Sequence, residues 1–455
     1  MSLSPGADMV IRGLTSGSTR IRLVVVLVLA FALRLAAILA IDDPQKVPRN
    51  INESAAPTYY VLAEHVLDGT GYRYSTDRPP TAMRTPGYPI FIAGVFKAFG
   101  RNFNAVRMVQ GLLDVITTYM VFALAYVLFG TSSIALLAAV GYALYFPAIQ
   151  DVTYILPETT YTFFLALAVL LAIVGARLRS YIIFVASGIS FAVSSLIKPG
   201  AIALPLVLLV VSILAAFGRR GAIDRGVGRV IGEPYRRGFD GIPFREFAIL
   251  CLAFAVTTLP WVVRNERALG KPILTSTLVG SSLYKGNHLA TRGTYLLPAD
   301  SLFTPDLRAR LSGASEVERN RILAAEARRT ALSHPGAVAL MTLRKIPRLW
   351  LNLGYGRSPS ARSLVLAIAH ILLLGLAAYA LLLLPSDARS LTFIPLTTVI
   401  FSTIMYLTVA SVVRLVFPLV PLVLPYSGLG LVDLAGRLRT RRERGVDELR
   451  ANALR

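Results

Sequence analysis

The chain has 455 residues, is 55% hydrophobic and only 16% charged, and has a mean hydropathy of +0.62. Soluble domains carry about a quarter charged residues, so this composition excludes an ordinary soluble enzyme. The net charge of +22 is almost all arginine. Its basic residues lie in loops between apolar runs, which argues against nucleic acid as a partner and for a positive-inside bias in a membrane protein.

The first apolar run, 23–41, follows Arg12, Arg20 and Arg22 as a secretory leader would. It is about a full membrane span long, and Asp42 and Asp43 follow it in place of a small-residue cleavage site, so a retained helix is predicted. Further spans are predicted near 104–129, 132–149, 157–178, 180–197, 200–217, 246–264, 361–384, 390–411 and 413–435. Together with 20–41 these make about ten. Lys198-Pro199-Gly200 breaks the pair 180–217 and suits a tight turn at a membrane surface. The one cysteine, Cys251, lies inside an apolar run, forms no intrachain disulfide and says nothing of redox compartment.

Arginines crowd the 218–245 loop (Arg219, Arg220, Arg225, Arg229, Arg236, Arg237, Arg245) and the tail (Arg437, Arg439, Arg441, Arg442, Arg444). With ten spans, both fall on the side of the N-terminus, and the positive-inside rule makes that side cytoplasmic. The predicted organisation is one transmembrane domain, 1–435, followed by a basic cytoplasmic tail, 436–455. Two long outer segments result, 42–103 and 265–360; the second is also rich in arginine, but long loops translocate largely regardless of charge. In the first, a helical pattern over 58–67 stops at Asp68-Gly69-Thr70-Gly71, and the apolar stretch ending at Phe99 is too short to span comfortably, so an interfacial helix is expected. In the second, an amphipathic stretch over 316–332 breaks at His334-Pro335-Gly336.

Ionisable groups at membrane depth or at span ends are costly and are candidates for function. Asp42 and Asp43 sit at the outer end of the first span, where a negative pair opposes the helix dipole. Glu158 opens the fourth span after Pro157, a place that the dipole alone would also favour, and Asp151 lies nearby. Convergent carboxylates there could act as general base or hold a divalent cation. Arg84, Lys198, Arg264 and Arg414 lie at outer span ends. Snorkelling would account for any one of them; four on one face fit an anionic lipid headgroup. His65, His288, His334 and His370 show no metal-ligand spacing, and His370 is expected to pack within a span. Asn52-Glu53-Ser54 matches a glycosylation acceptor, a triplet common by chance.

Along the chain, in order, stand Tyr60-Val61-Leu62-Ala63, Gly69-Thr70-Gly71-Tyr72, Arg84-Thr85-Pro86-Gly87-Tyr88-Pro89, Arg107 with Gln110, Pro157-Glu158-Thr159, Lys198-Pro199, Pro260-Trp261-Val262-Val263-Arg264-Asn265, Gly286-Asn287 and Arg414-Leu415-Val416-Phe417-Pro418. As an ordered set these resemble the motifs of the GT-C type membrane glycosyltransferases, nearest the bacterial relatives of protein O-mannosyltransferases and aminoarabinose transferases (glycosyltransferase family 39). The resemblance runs over nearly the whole chain. It implies an all-α polytopic fold of about ten spans with outer-face interfacial helices. It also implies transfer of a sugar from a polyprenyl-phosphate carrier, on the extracytoplasmic face of the plasma (inner) membrane, to a lipid, glycan or protein acceptor.

The resemblance further implies an acidic residue of the first outer loop as acceptor base. Many bacterial relatives carry an aspartate about four residues before the tyrosine matching Tyr60; here Ala55-Ala56-Pro57 stands there. The candidates are therefore Asp43, Asp42 and Glu53, in that order, with Glu158 as a further acid. Arg84, Lys198, Arg264 and Arg414 are the expected phosphate ligands, and Tyr60, Tyr88, Asn265 and Asn287 the expected substrate contacts. No cofactor is implied with certainty; a divalent cation is compatible. Two other classes fit parts of the sequence: a transporter or flippase of anionic lipids, and an inactive scaffold in envelope assembly.

Overall fold

The computed structural model describes residues 17–42, 59–217, 244–293, 299–351, 360–384, 386–409 and 412–453, and these are helical with no strand among them. In chain order the longer helices are α1 (Gly17–Leu39), α2 (Tyr59–Leu67), α3 (Gly87–Phe99), α4 (Phe103–Phe129), α5 (Ser132–Ala143), α6 (Phe146–Asp151), α7 (Glu158–Leu178), α8 (Tyr181–Ile197), α9 (Leu204–Phe217) and α10 (Phe244–Leu269). They continue with α11 (Val279–Asn287), α12 (Pro305–Leu311), α13 (Glu316–Ser333), α14 (Pro335–Leu351), α15 (Ala361–Leu383), α16 (Ser386–Leu407) and α17 (Val420–Ala453).

The predicted spans fall on helices, except that 132–149 is broken at Leu144-Tyr145 between α5 and α6, and 413–435 opens on two 3-10 turns before α17. Six helical stretches are long and apolar enough to cross a membrane by length and composition: α1, α4, α7, α10, α15 and 413–444; the other predicted spans coincide with shorter apolar helices. Their outer faces agree with a lipid environment. Val24, Val25 and Val28 on α1, Leu252, Val256 and Leu259 on α10, and Leu364, Val365 and Leu372 on α15 all stand exposed. In water each Å² of such surface would cost about 25 cal/mol, whereas hydrocarbon imposes no such cost. The protein is an all-α polytopic membrane protein.

Local sequence explains the ends of these helices. Asn102 caps α4, its side chain accepting from the backbone N–H of Asn104 at 2.8 Å and Ala105 at 3.2 Å. Gly130 closes the same helix in the left-handed region at φ 66°. Ser315 caps α13 by accepting from the Glu318 N–H, and Thr304 caps α12 in the same way. Hydroxyls inside apolar helices return to the preceding turn, as Thr117 does to Leu113 and Ser195 to Phe191, which satisfies them without water.

Close helix contacts run through α7 with α8, α8 with α10, α4 with α5 and α15 with α17. Small residues permit them: a Cβ on Gly188 would run into the Leu250 carbonyl, and one on Gly175 would come within 2.9 Å of Phe184. Glu316 ties the two long segments, 42–103 and 265–360, together. It accepts from the Thr81 hydroxyl at 2.6 Å, the Ala82 N–H at 2.8 Å and the Thr277 hydroxyl.

One ionic cluster within the spans has two halves. Arg34 of α1, 1% exposed, donates through Nε to Asp114 Oδ2 of α4 at 2.7 Å and to the carbonyls of Ala30, Tyr142 and Ala143. Tyr142 donates to Asp114 Oδ1 at 2.6 Å. The carbonyls of Tyr142 and Ala143 belong to the last turn of α5, which has no intrahelical donors for them, so the guanidinium both neutralises Asp114 and caps the break between α5 and α6. Arg34 stands out in the sequence as a charge within a span. Asp114, embedded in Leu112-Leu113-Asp114-Val115, is the matching charge on α4.

Removing one member would leave the other charge buried and alone. Arg34→Met is expected to destabilise the protein by about 3 kcal/mol or more. The double variant Arg34→Met/Asp114→Leu should recover much of that loss, as followed by thermal unfolding of the purified protein in detergent.

Candidate active site

The first turn of α7 is built by Pro157 and Glu158. Proline suits a helix start because its missing N–H would have no intrahelical acceptor there, and a carboxylate is favoured by the positive end of the dipole. Lys198 terminates α8 in extended conformation (φ −149°, ψ 130°). Pro199 follows it and disfavours helical geometry at the preceding residue. The chain then turns through the 3-10 stretch Pro199–Ala201, as the breaker set predicts. Arg414 lies on another short 3-10 turn, Val413–Leu415.

These three elements converge. Lys198 Nζ lies 3.2 Å from Glu158 Oε1, and Arg414 Nε lies 3.7 Å from the same oxygen. The Glu158 side chain is 5% exposed, against 16% for Lys198 and 40% for Arg414. The cluster is thus sealed on the carboxylate side and open on the side of the cations. Glu158 Oε2 is buried and accepts no hydrogen bond among the described residues. Lys198 also sits 5.7 Å from the centre of the Tyr161 ring, and the Tyr161 and Tyr406 hydroxyls meet at 3.3 Å. Gly200 makes room for that pair: a Cβ there would lie 2.8 Å from the Tyr406 oxygen and 3.0 Å from that of Tyr161.

Asp151, at the end of α6, belongs to the same electrostatic field. Burial raises its pKa well above the ordinary carboxylate value, and the Glu158 charge raises it further, against the lowering influence of Arg414 and Lys198. Asp151 therefore favours its protonated form more than a free carboxyl does, while Glu158 stands against the two cations. The connecting turn is fixed from α4. Arg107 Nε donates to the Thr153 carbonyl at 2.9 Å, and Gln110 donates to the carbonyls of Val152 at 3.2 Å and Tyr154 at 2.9 Å. Tyr88, fully buried, donates to Gln110 at 2.6 Å.

The motif Arg84-Thr85-Pro86-Gly87-Tyr88-Pro89 has a mechanical role. The Thr85 hydroxyl donates to the Ile197 carbonyl at 2.8 Å, and a Cβ on Gly87 would lie 2.8 Å from Leu196 backbone atoms. The motif thereby seats α3 directly on the end of α8, at the residues that lead into Lys198.

The other candidate residues are distributed differently. The Arg84 guanidinium lies over the Tyr59 ring at 5.0 Å. Arg264 donates to the Thr81 carbonyl at 2.7 Å and the Tyr72 carbonyl at 3.0 Å, and stacks on Trp261. Asn265 is fully buried and donates to the Ile273 carbonyl at 2.8 Å. Asn287 donates to the Leu283 and Thr408 carbonyls, both at 2.8 Å. Tyr60 packs edge-on against Phe103. Asp42 is exposed just beyond α1; Asp43, Glu53 and the arginines of 218–243 lie outside the described residues. His370 is buried with its ring against Tyr145 and Trp350. Among the described residues no three His, Cys, Asp or Glu side chains form a cluster that could hold a metal. Tyr161 and Tyr406 join the site without having been singled out; Tyr161 stands one helical turn after Glu158, a spacing that could have flagged it.

Residues 78–226 match the family model described as dolichyl-phosphate-mannose-protein mannosyltransferase. Among solved structures, the chain is similar to the archaeal oligosaccharyltransferase AglB from Archaeoglobus fulgidus in complex with an inhibitory peptide and a dolichol-phosphate. The TM-score is 0.55 at 12% identity, over 94% of this chain and 52% of that one. The same oligosaccharyltransferase tethered to an acceptor peptide gives a TM-score of 0.51 at 11% identity, over 95% and 51%. The chain has the GT-C fold. The resemblance read from the ordered motifs is thus met both by a family model and by the architecture. The chain spans about half the length of the oligosaccharyltransferase chains it matches. ArnT from Cupriavidus metallidurans bound to undecaprenyl phosphate also matches, at 14% identity over 90% of this chain and 77% of that one, with a TM-score of 0.39 that is too low to build on. No curated protein matches the chain.

Two outcomes are expected from this geometry. Gly87→Val should push α3 off the end of α8, costing about 1–3 kcal/mol of stability in thermal unfolding. The raised pKa of Asp151 means that the native state binds more protons than the unfolded chain above the ordinary value of 3.8. Stability should accordingly fall as pH rises from there through the folded-state pKa, and Asp151→Asn should flatten that dependence in unfolding curves taken upward from the ordinary carboxylate range.

Proposed function

We propose that this protein is a glycosyltransferase that moves a sugar from a polyprenyl-phosphate carrier to a cell-envelope acceptor, which could be a lipid, a polysaccharide or a protein. The observation that carries this reading is the pair of cations, Lys198 and Arg414, held at a membrane-embedded carboxylate and open on their own side. A phosphate headgroup is the anion such a site would take, since arginine grips it by directed hydrogen bonds and lysine as a point charge. The GT-C fold and the family match over 78–226 support the same chemistry.

In the proposed step the acceptor oxygen or nitrogen attacks the anomeric carbon of the sugar, and the bond from that carbon to the phosphate oxygen breaks. The electron pair leaves with the phosphate, whose negative charge grows as the bond lengthens. Lys198 and Arg414 stabilise that charge in a low-dielectric setting where a fixed cation is worth far more than in water. The acceptor proton passes to a carboxylate of the first outer loop, Asp43, Asp42 or Glu53, in line with the family resemblance. A single displacement of this kind inverts the anomeric centre. Arg84, Arg264, Tyr60, Tyr88, Asn265 and Asn287 line or brace the path of the substrates in this reading. The transmembrane domain, 1–435, would lie in the plasma membrane with ten crossings, the tail 436–455 in the cytoplasm, and the site on the outer face.

Lys198→Met and Arg414→Ala should each reduce transfer by about 10²-fold at normal protein levels, the usual effect of removing one electrostatic stabiliser of the transition state. Mass spectrometry of envelope lipids and glycans from a deletion strain complemented with each variant measures this. Unchanged products from both Asp43→Asn and Glu158→Gln would sink the site assignment, and carrier binding without any product from the unaltered protein would sink the assignment as a transferase.

A further inference from the structure

Lys345 is buried, and among the described residues no acid is paired with it. It lies in α14, is 0% exposed, and its Nζ donates to the Leu407 carbonyl at 2.8 Å. Its chamber is shaped by Gly293, in the left-handed region at φ +78°, where a Cβ would lie 2.8 Å from Lys345 Cε and 3.0 Å from its Cγ. Burial, with Arg348 adding to it, lowers the lysine pKa to about 8. An ammonium out of water is costly, and packing alone would be served better by an apolar side chain.

What the lysine holds is the end of a helix that enters the candidate site. Leu407 is the last residue of α16, whose final carbonyls have no intrahelical donors. Asn287, at the end of α11, donates to the next carbonyl, Thr408, at 2.8 Å. The preceding residue, Tyr406, meets the hydroxyl of Tyr161, the residue whose ring Lys198 overlies. Shortly after it the chain delivers Arg414 to Glu158 on the turn Val413–Leu415, and α14 packs against that same turn. The donors from the outer segment, Lys345 and Asn287, thus grip the chain between the two groups that it contributes to the site.

We propose that Lys345 and Asn287 are positioning residues through which the outer segment sets Tyr406 and Arg414 against Lys198, so that the phosphate site is complete only when this segment is docked. They touch the carrier at no point; they act through Arg414. The proposal rests on the reading of Lys198 and Arg414 as ligands of a polyprenyl phosphate.

The test uses the full-length protein in nanodiscs with undecaprenyl phosphate as the probe. Lys345→Met should weaken its binding about tenfold, or about 1.4 kcal/mol, and Asn287→Ala should act in the same direction. Combined with Arg414→Ala, Lys345→Met should add little, because its effect passes through that residue. Equal weakening in both backgrounds, or none in the unaltered one, overturns the proposal.

A second readout needs no ligand. In a Cys251→Ser background, the thiol of Arg414→Cys should change its rate of reaction with a charged maleimide severalfold when Lys345→Met is added; an unchanged rate overturns the proposal. If the unaltered protein binds no undecaprenyl phosphate, the carrier reading fails, and the thiol rates alone decide the positioning role. Should Lys345→Met not fold, Asn287→Ala carries both measurements.

Discussion

The structure turns on one carboxylate that cannot be left alone. Glu158 is almost wholly withdrawn from solvent at the start of α7, and a bare ion in that place would cost several kcal/mol. Its charge is held by Lys198 and Arg414, which come from the end of α8 and from the turn that precedes α17. Three distant parts of the chain are thereby required to meet at one point. Much of the nearby architecture follows from that requirement: the Lys198-Pro199-Gly200 break, the seating of α3 beneath it, and the α4 side chains that fix the turn leading into Glu158.

The helices were readable because hydrocarbon allows few solutions. A backbone with no water to bond must satisfy itself within a helix, so runs of apolar residues bounded by Asn102, Gly130 or Lys198-Pro199 could be placed closely. The site was readable only as separate members. Glu158, Lys198 and Arg414 each stand at a span end in the sequence, but so do Arg84 and Arg264, and nothing in a linear chain separates the two sets. Their partners do. Arg264 is occupied by the carbonyls of Thr81 and Tyr72, whereas Lys198 and Arg414 face a carboxylate. Loop carbonyls are contributed by backbone of any sequence, which is why this use of an arginine leaves no signature.

The family resemblance was carried by motifs whose roles differ from one another. Gly87 and Thr85 serve contact between backbones, Arg107 and Gln110 hold a turn, and Lys198 and Glu158 carry charge. A motif recurs for any of these reasons, so its presence speaks for the fold before it speaks for the reaction. At identities of 11–12%, the match to the oligosaccharyltransferase likewise establishes architecture; the chemistry has to be argued from the charges.

Comparing the buried ionic clusters around Asp114 and Glu158 shows why only the second is proposed for function. Around Asp114 nearly every capacity is used. One oxygen accepts from Arg34 and the other from Tyr142, while the remaining guanidinium donors go to carbonyls of α1 and α5. Such a closed set offers a ligand no purchase, and its energy goes into fixing the join of α1, α4 and α5. Around Glu158 one buried oxygen accepts nothing among the described residues, and the cations grow more exposed from Lys198 to Arg414. A buried carboxylate oxygen left without a donor forgoes stability that one more partner would supply. In the proposed reading, the partly exposed Lys198 and Arg414 on the other side of that carboxylate are the groups that the phosphate of a lipid would meet.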